Sequence, residues 1–264
     1  MNKFKAIFTD VDGTLLNSDK LVDENTLKSI SKLKDANIKF GISTGRPYNN
    51  ILMLLDKWKL TNYVDYVIGY NGADVYDINN NKLYSNYYLD ELKVKEIYNI
   101  TKDLDCATII YDDQLLVSNI EHEFMETHSK KLGYKHICTD LNEYVNKSYA
   151  KMLLMSDIGN QEELIKELKG IDGISIFSSS SYLLEVVDNR VNKSFGISII
   201  KNELGLTNEE IVTFGDEAND YEMIRDYYGV AMGNAINKIK DVSKYITDSN
   251  DESGVSNFIN KYIL

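Results

Sequence analysis

The chain has 264 residues, 43% of them apolar, and a net charge of −12, which suits one large domain or two smaller ones with a substantial core. So acidic a chain lacks the clustered Lys and Arg of a general nucleic-acid surface. No uninterrupted apolar run approaches the ~20 residues of a membrane span, and three histidines are too few for a His-rich metal site.

Residues 4–9 read as a short buried strand, and the N-terminus lacks the longer apolar stretch of a signal peptide. Asp23 is placed to cap a helix carrying Leu27, Ile30 and Leu33 on one face. Residues 38–43 form a second strand that runs into Thr44-Gly45-Arg46-Pro47, with Pro47 opening the next helix. A third strand, 66–69, is broken by Asn71-Gly72. Strand and helix alternate here in the rhythm of a parallel α/β sheet.

From about residue 83 to 187 the pattern is mixed. Strands are expected at 84–89, 107–111, 115–118, 150–155, 174–177 and 183–187, and helices at 92–100, 121–132 and 161–168. The last part returns to the first rhythm. A helix over 193–204 stops at Gly205, a strand over 211–214 ends in Gly215-Asp216-Glu217-Ala218-Asn219-Asp220, and strands at 230–233 and 245–247 precede a final helix bearing Val255, Phe258, Ile259 and Tyr262. The expected architecture is a Rossmann-like α/β core, residues 1–80 plus 188–264, with an inserted α+β cap domain over 81–187. The crossings between them are expected at 77–82 and 188–191. Cys106 and Cys138 form no CxxC pair and no zinc pattern, and read as reduced thiols of a cytoplasmic protein.

Open parallel sheets bind ligands beyond the carboxyl ends of their strands. Four segments fall at such ends: Asp10 and Asp12; Ser43, Thr44 and Arg46; Asn71; and Asp216, Asn219 and Asp220. Concentrated carboxylates are costly to hold together unless a cation shares their charge. Hard oxygen ligands of this kind suit Mg²⁺. A phosphate ester fits such an edge: one carboxylate attacks phosphorus, and a second carboxylic acid protonates the leaving alcohol. Lys193, at the start of a helix, is placed to bring a cation to the phosphoryl group. The chain contains no GxxxxGK[ST], no GxGxxG after the first strand and no GxSxG.

These residues resemble the haloacid dehalogenase (HAD) superfamily, specifically its Cof-type subclass IIB. Asp10-Val11-Asp12-Gly13-Thr14-Leu15 is similar to the DxDGTL nucleophile motif, and Ser43-Thr44-Gly45-Arg46 to the second motif. Asn71-Gly72-Ala73 is similar to a segment common in the subclass. Asn192-Lys193 is similar to the lysine motif, with Ser194 in place of the glycine often found there. Residues 215–220 are similar to GDxxND, and 229–235 and 249–255 to the closing segments of the subclass.

The resemblance implies that Asp10 is the nucleophile and Asp12 the general acid/base, with the Asp12 backbone carbonyl also facing Mg²⁺. It implies that Thr44 and Lys193 bind the phosphoryl group, with Arg46 and Asn71 on the phosphate or substrate side. Asp10, Asp12 and Asp216 are the implied metal residues, supported by Asn219 and Asp220. The expected activity is Mg²⁺-dependent hydrolysis of a small phosphorylated metabolite, a sugar phosphate or a cofactor such as FMN or pyridoxal phosphate, through an aspartyl-phosphate. A phosphosugar mutase and a non-catalytic metabolite-binding protein are the alternatives. The resemblance also implies that the inserted unit chooses the substrate. Within it His122, Glu185 and the run 178–181 stand unranked. Neither nucleic acid nor membrane is an expected partner.

Overall fold

The computed structural model describes residues 3–264. The chain forms two compact units, residues 1–85 with 192–264, and residues 86–191.

The first unit begins with β1 (Ala6–Thr9), α1 (Glu24–Asp35), β2 (Lys39–Ser43), α2 (Tyr48–Leu54), β3 (Tyr66–Gly69), β4 (Asp74–Asp77) and β5 (Lys82–Ser85). The inserted unit contains α3 (Glu91–Thr101), β6 (Ala107–Asp112), β7 (Leu115–Ser118), α4 (Met125–Leu132), β8 (Lys135–Cys138), β9 (Met152–Met155), α5 (Gln161–Leu168), β10 (Ile174–Ser180) and β11 (Leu183–Asp188). The chain returns through α6 (Lys193–Leu204), β12 (Ile211–Gly215), α7 (Tyr221–Asp226), β13 (Tyr228–Ala231), α8 (Asn237–Val242), β14 (Tyr245–Ile246) and α9 (Gly254–Tyr262).

The first unit is built on one eight-stranded sheet, ordered β14-β13-β12-β1-β2-β3-β4-β5. The strands from β14 to β3 are parallel, whereas β4 and β5 continue the sheet as an antiparallel hairpin. Successive strand residues point to opposite faces. On β12 the Thr213 hydroxyl donates to the Met223 carbonyl of α7, while the Phe214 ring meets Phe258 of α9. Helices α7 and α9 therefore cover opposite faces of the sheet, and both faces need the apolar strands that β1, β3 and β12 supply. From β1 the chain builds outward through β2 and β3, then returns to lay β12 on the other side of β1. That reversal opens a crevice beyond the carboxyl ends of β1 and β12.

Local signals set the helices. The Asp23 carboxylate accepts from the Asn25 and Thr26 amides at the start of α1. Gly205, at φ 64°, ends α6. Pro47 stands one position before α2, as its N-cap residue.

The inserted unit has its own six-stranded sheet, ordered β10-β11-β9-β6-β7-β8, with only β7 and β8 parallel. Alternate residues Ile110, Met152, Leu154, Leu184 and Val186 form a separate apolar core with Val94 and Ile97 of α3 and Leu164 and Leu168 of α5.

Several elements differ from the sequence reading. The segment 77–82, expected to cross between units, is the turn of the β4–β5 hairpin. Its Asn-rich tip suits a tight turn as well as a linker. The strand expected at 84–89 is β5, displaced toward the N-terminus, and Leu89 keeps only an isolated bridge to Tyr149. Strand β8 is mostly exposed, with no apolar alternation. Helices α7 and α8 have six residues each, too few to show a helical period.

Candidate active site

Every polar residue that the sequence places at a strand end lies in the first unit. The Asp10 amide donates to the Phe214 carbonyl at 3.0 Å, which continues the β1–β12 pairing by one residue. Asp10 and Asp216 therefore leave adjacent parallel strands side by side. Asp10, Asp216 and Asp220 each offer a carboxylate oxygen to a group lying within 4.8 Å of one another, and all three are buried.

Lys193 opens α6 and is completely buried. Its Nζ donates to Asp10 Oδ1 at 2.5 Å and to Asp220 Oδ1 at 2.6 Å. The other Asp220 oxygen accepts from the Asp216 and Glu217 amides at 2.8 and 3.0 Å. Asp220 thus ties the lysine to the loop after β12. The Thr14 hydroxyl donates to Asp216 Oδ1 at 2.6 Å.

Three buried carboxyls and one ammonium leave an excess of negative charge. Burial pushes the Asp10 carboxyl up to about 8, against the pull of Lys193 and with Asp220 and Asp216 adding to the rise. Burial likewise raises Asp216 to about 6, opposed by the Thr14 hydrogen bond. Burial acts to lower the Lys193 pKa, but Asp10 and Asp220 outweigh it and hold the ammonium above its ordinary range. The donor set fits a divalent cation with hard-oxygen preference, such as Mg²⁺, which would offset the remaining charge. Asp10, Asp216 and Asp220 are the residues placed to hold it.

Two glycines let the loops close on this cluster. Gly13 has φ +89°, and a Cβ there would lie 2.3 Å from Asp216 Oδ2. Gly72 has φ +111°, and a Cβ there would lie 2.2 Å from the Asn192 carbonyl oxygen. The turn after β3 therefore packs directly against the start of α6, beside Lys193. Tyr70 and Asn71 share this left-handed turn, at φ 48° and 56°.

Asp12 is not one of the three clustered carboxylates. Its carboxylate accepts a two-point hydrogen bond from Arg46, Nε to Oδ2 at 3.0 Å and Nη2 to Oδ1 at 2.9 Å. Thr44 Oγ1 accepts from the Arg46 amide at 3.3 Å, and the Thr44 carbonyl accepts from the Asn71 amide at 2.9 Å. Asn219 Nδ2 donates to Asn71 Oδ1 at 3.1 Å. Ser194, which departs from the family glycine, donates to Asp226.

Sequence reasoning assigned no role to Asn234 or Asn250. Asn234 Nδ2 donates to the Gly13 carbonyl at 2.8 Å and reaches Asp216 Oδ2 at 3.5 Å. Its own Oδ1 accepts from the Asn250 amide, while Asn250 Nδ2 donates to the Leu16 carbonyl. The Ser18 amide and hydroxyl both donate to Asp251. The two closing segments thus clasp the loop after β1. Their place in family-like segments was the only signal available.

A family model of haloacid dehalogenase-like hydrolases matches residues 7–259. The chain belongs to this family. The HAD hydrolase is 30% identical to a 5-amino-6-(5-phospho-D-ribitylamino)uracil phosphatase of Bacillus subtilis, over 97% of this chain and 96% of that protein. Its fold is similar to that of a haloacid dehalogenase-like hydrolase from Bacteroides thetaiotaomicron, with TM-score 0.89, 27% identity and coverage of 98% and 99% of the two chains. It is also similar to a HAD subclass IIB sugar phosphatase, with TM-score 0.84, 25% identity and coverage of 97% and 98%. The carboxylate cluster is accordingly the Mg²⁺-binding site of a HAD-type hydrolase, and the chain is an enzyme. Among the described residues no helix is long and apolar enough to cross a membrane.

Proposed function

We propose that this HAD hydrolase is a cytoplasmic phosphomonoesterase acting on a small phosphorylated metabolite, a sugar phosphate or a phosphorylated cofactor. The observation that carries this reading is the buried Lys193 ammonium bridging Asp10 and Asp220 beside Asp216. Bound Mg²⁺ supplies charge neutralisation for the phosphoryl oxygens and for the carboxylates around them.

Asp10 is the nucleophile. One of its oxygens attacks phosphorus, the bond from phosphorus to the ester oxygen breaks, and an aspartyl-phosphate forms. Asp12 gives its proton to the departing alkoxide, then takes one from the water whose oxygen attacks the phosphoenzyme. Inorganic phosphate leaves and the Asp10 carboxylate is restored. Lys193 holds Asp10 in line and offers positive charge to the transferring group, with Thr44 and Asn71 as further phosphoryl or substrate contacts. Asp220 and Asn219 support this arrangement by fixing Lys193 and the turn at Asn71. The inserted unit, which interrupts the catalytic unit in sequence, is assigned the choice of leaving group. The phosphatases to which the chain is similar support the substrate class.

The direct test is phosphate release from a broad panel of phosphomonoesters with Mg²⁺. Release that disappears on chelation and in Asp10→Asn is expected, with a burst of phosphoenzyme in the wild type. No release from any ester would sink the reading.

A further inference from the structure

We propose that Arg46 is the positioning residue of Asp12, setting the plane and place of its carboxylate, and is not a ligand of the phosphoryl group. This rests on the reading of Asp12 as acid/base.

Both oxygens of Asp12 are engaged by the Arg46 fork, at 3.0 and 2.9 Å. A planar guanidinium binding two oxygens fixes the orientation of the carboxylate as well as its position. The fork stands on a fixed backbone. The Arg46 amide donates to Thr44 Oγ1 at 3.3 Å, and its carbonyl accepts from the Tyr70 amide at 2.9 Å. The Arg46 side chain is 14% exposed against 36% for Asp12, so the more buried partner holds the more accessible one. Lys20 also faces Asp12, but its Nζ is 3.7 Å from Oδ1 and its side chain is 65% exposed. A screened single charge of this kind cannot orient the carboxylate. The loop after β1 therefore delivers Asp12, and the end of β2 decides where its carboxylate stands.

The consequence is chemical. A proton donor must come within about 2.6–3.2 Å of the leaving oxygen. A displacement of about 1 Å costs on the order of a hundredfold in rate. The loss should therefore depend on how much the leaving group needs the proton. An alkoxide needs it, whereas p-nitrophenolate leaves largely without it.

The test compares wild type, Arg46→Ala and Arg46→Lys, with Mg²⁺, on p-nitrophenyl phosphate and on an alkyl phosphate that the wild type hydrolyses. Inorganic phosphate serves as the competing ligand. In both variants kcat on the alkyl ester should fall about 30- to 100-fold with KM held within about twofold, while p-nitrophenyl phosphate turnover falls no more than about threefold. Inhibition by inorganic phosphate should change less than about twofold, and Arg46→Ala should add almost nothing to Asp12→Asn on p-nitrophenyl phosphate. Equal losses on both esters, with phosphate inhibition weakened tenfold or more, would overturn the proposal and make Arg46 a phosphate ligand. If Arg46→Ala does not fold, Arg46→Lys and Arg46→Gln carry the same comparison. A wild type inactive on every ester would instead remove the phosphatase reading itself.

Discussion

Lys193 is the residue on which the site's charge balance turns. It is fully buried between Asp10 and Asp220. Breaking a buried pair from one side strands charge, at about 3–5 kcal/mol. Lys193→Met should therefore lower stability by about that amount in urea titrations, as well as abolish turnover. Gly13 offers a second test at this scale. Gly13→Ala adds a methyl in a backbone region that costs a residue with a Cβ about 1–2 kcal/mol, and the methyl collides with Asp216. The expected outcome is at least a tenfold rise in the Mg²⁺ concentration for half-maximal activity. Unchanged Mg²⁺ dependence would show that Asp216 tolerates displacement.

At the scale of elements, two helix caps of similar chemistry separate stability from catalysis. Asp23 caps α1 through the Asn25 and Thr26 amides and also accepts from the Ser253 hydroxyl. Asn192 caps α6, its Oδ1 accepting from the Phe195 amide at 2.8 Å. Removing either side chain should cost about 1 kcal/mol. Asp23→Ala should leave kcat within about twofold, because α1 presents no group to the carboxylate cluster. Asn192→Ala should lower kcat about tenfold, because the next residue is Lys193 and the cap sets where α6 begins. Equal effects of the two variants on kcat would mean that the start of α6 is held by its packing against Gly72 alone.

At the scale of the whole molecule, the two units should answer pH in opposite directions. In the metal-free first unit, Asp10 and Asp216 have folded-state pKa values of about 8 and about 6, above the ordinary 3.8. The folded state then holds more protons than the unfolded one across that window, so stability falls as pH rises from about 4 to 8. In the inserted unit, burial and nearby Lys151 and Lys131 push His128 down to about 4 from 6.5. There the folded state holds fewer protons, so stability rises from about pH 4 to 6.5 and is then level. Hydrogen exchange resolved to β1 and β12 against β9 and β11 reads the two trends separately. Between pH 6.5 and 8 only the first unit should weaken. Mg²⁺ should restore it, with a larger effect at pH 8 than at pH 6 because the ion competes with protons for Asp10 and Asp216. A first unit that gains stability over this range without metal would contradict the raised carboxyls.

Much of the catalytic unit was legible from sequence because its signals are local. Apolar runs 4–9 and 66–69 ended in polar groups, Asp23 and Gly205 bounded helices, and the spacing of Asp10, Asp12, Asp216 and Asp220 marked strand ends. The turn at 77–82 and strand β8 were illegible for the converse reason: Asn-rich turns resemble linkers, and an exposed edge strand buries too little to show a pattern. The sequence alone marked a set of polar residues at strand ends and led to the expectation that they gather at one sheet edge, where Asp10, Asp216 and Asp220 do meet. Their pairing depends on the fold. It put Lys193 between Asp10 and Asp220, moved the Asp12 carboxylate onto Arg46, and brought Asn234 across to Gly13 and Asp216. Those pairings join residues from 18 to 221 positions apart in the chain. They are set by sheet order and burial, which no local pattern encodes.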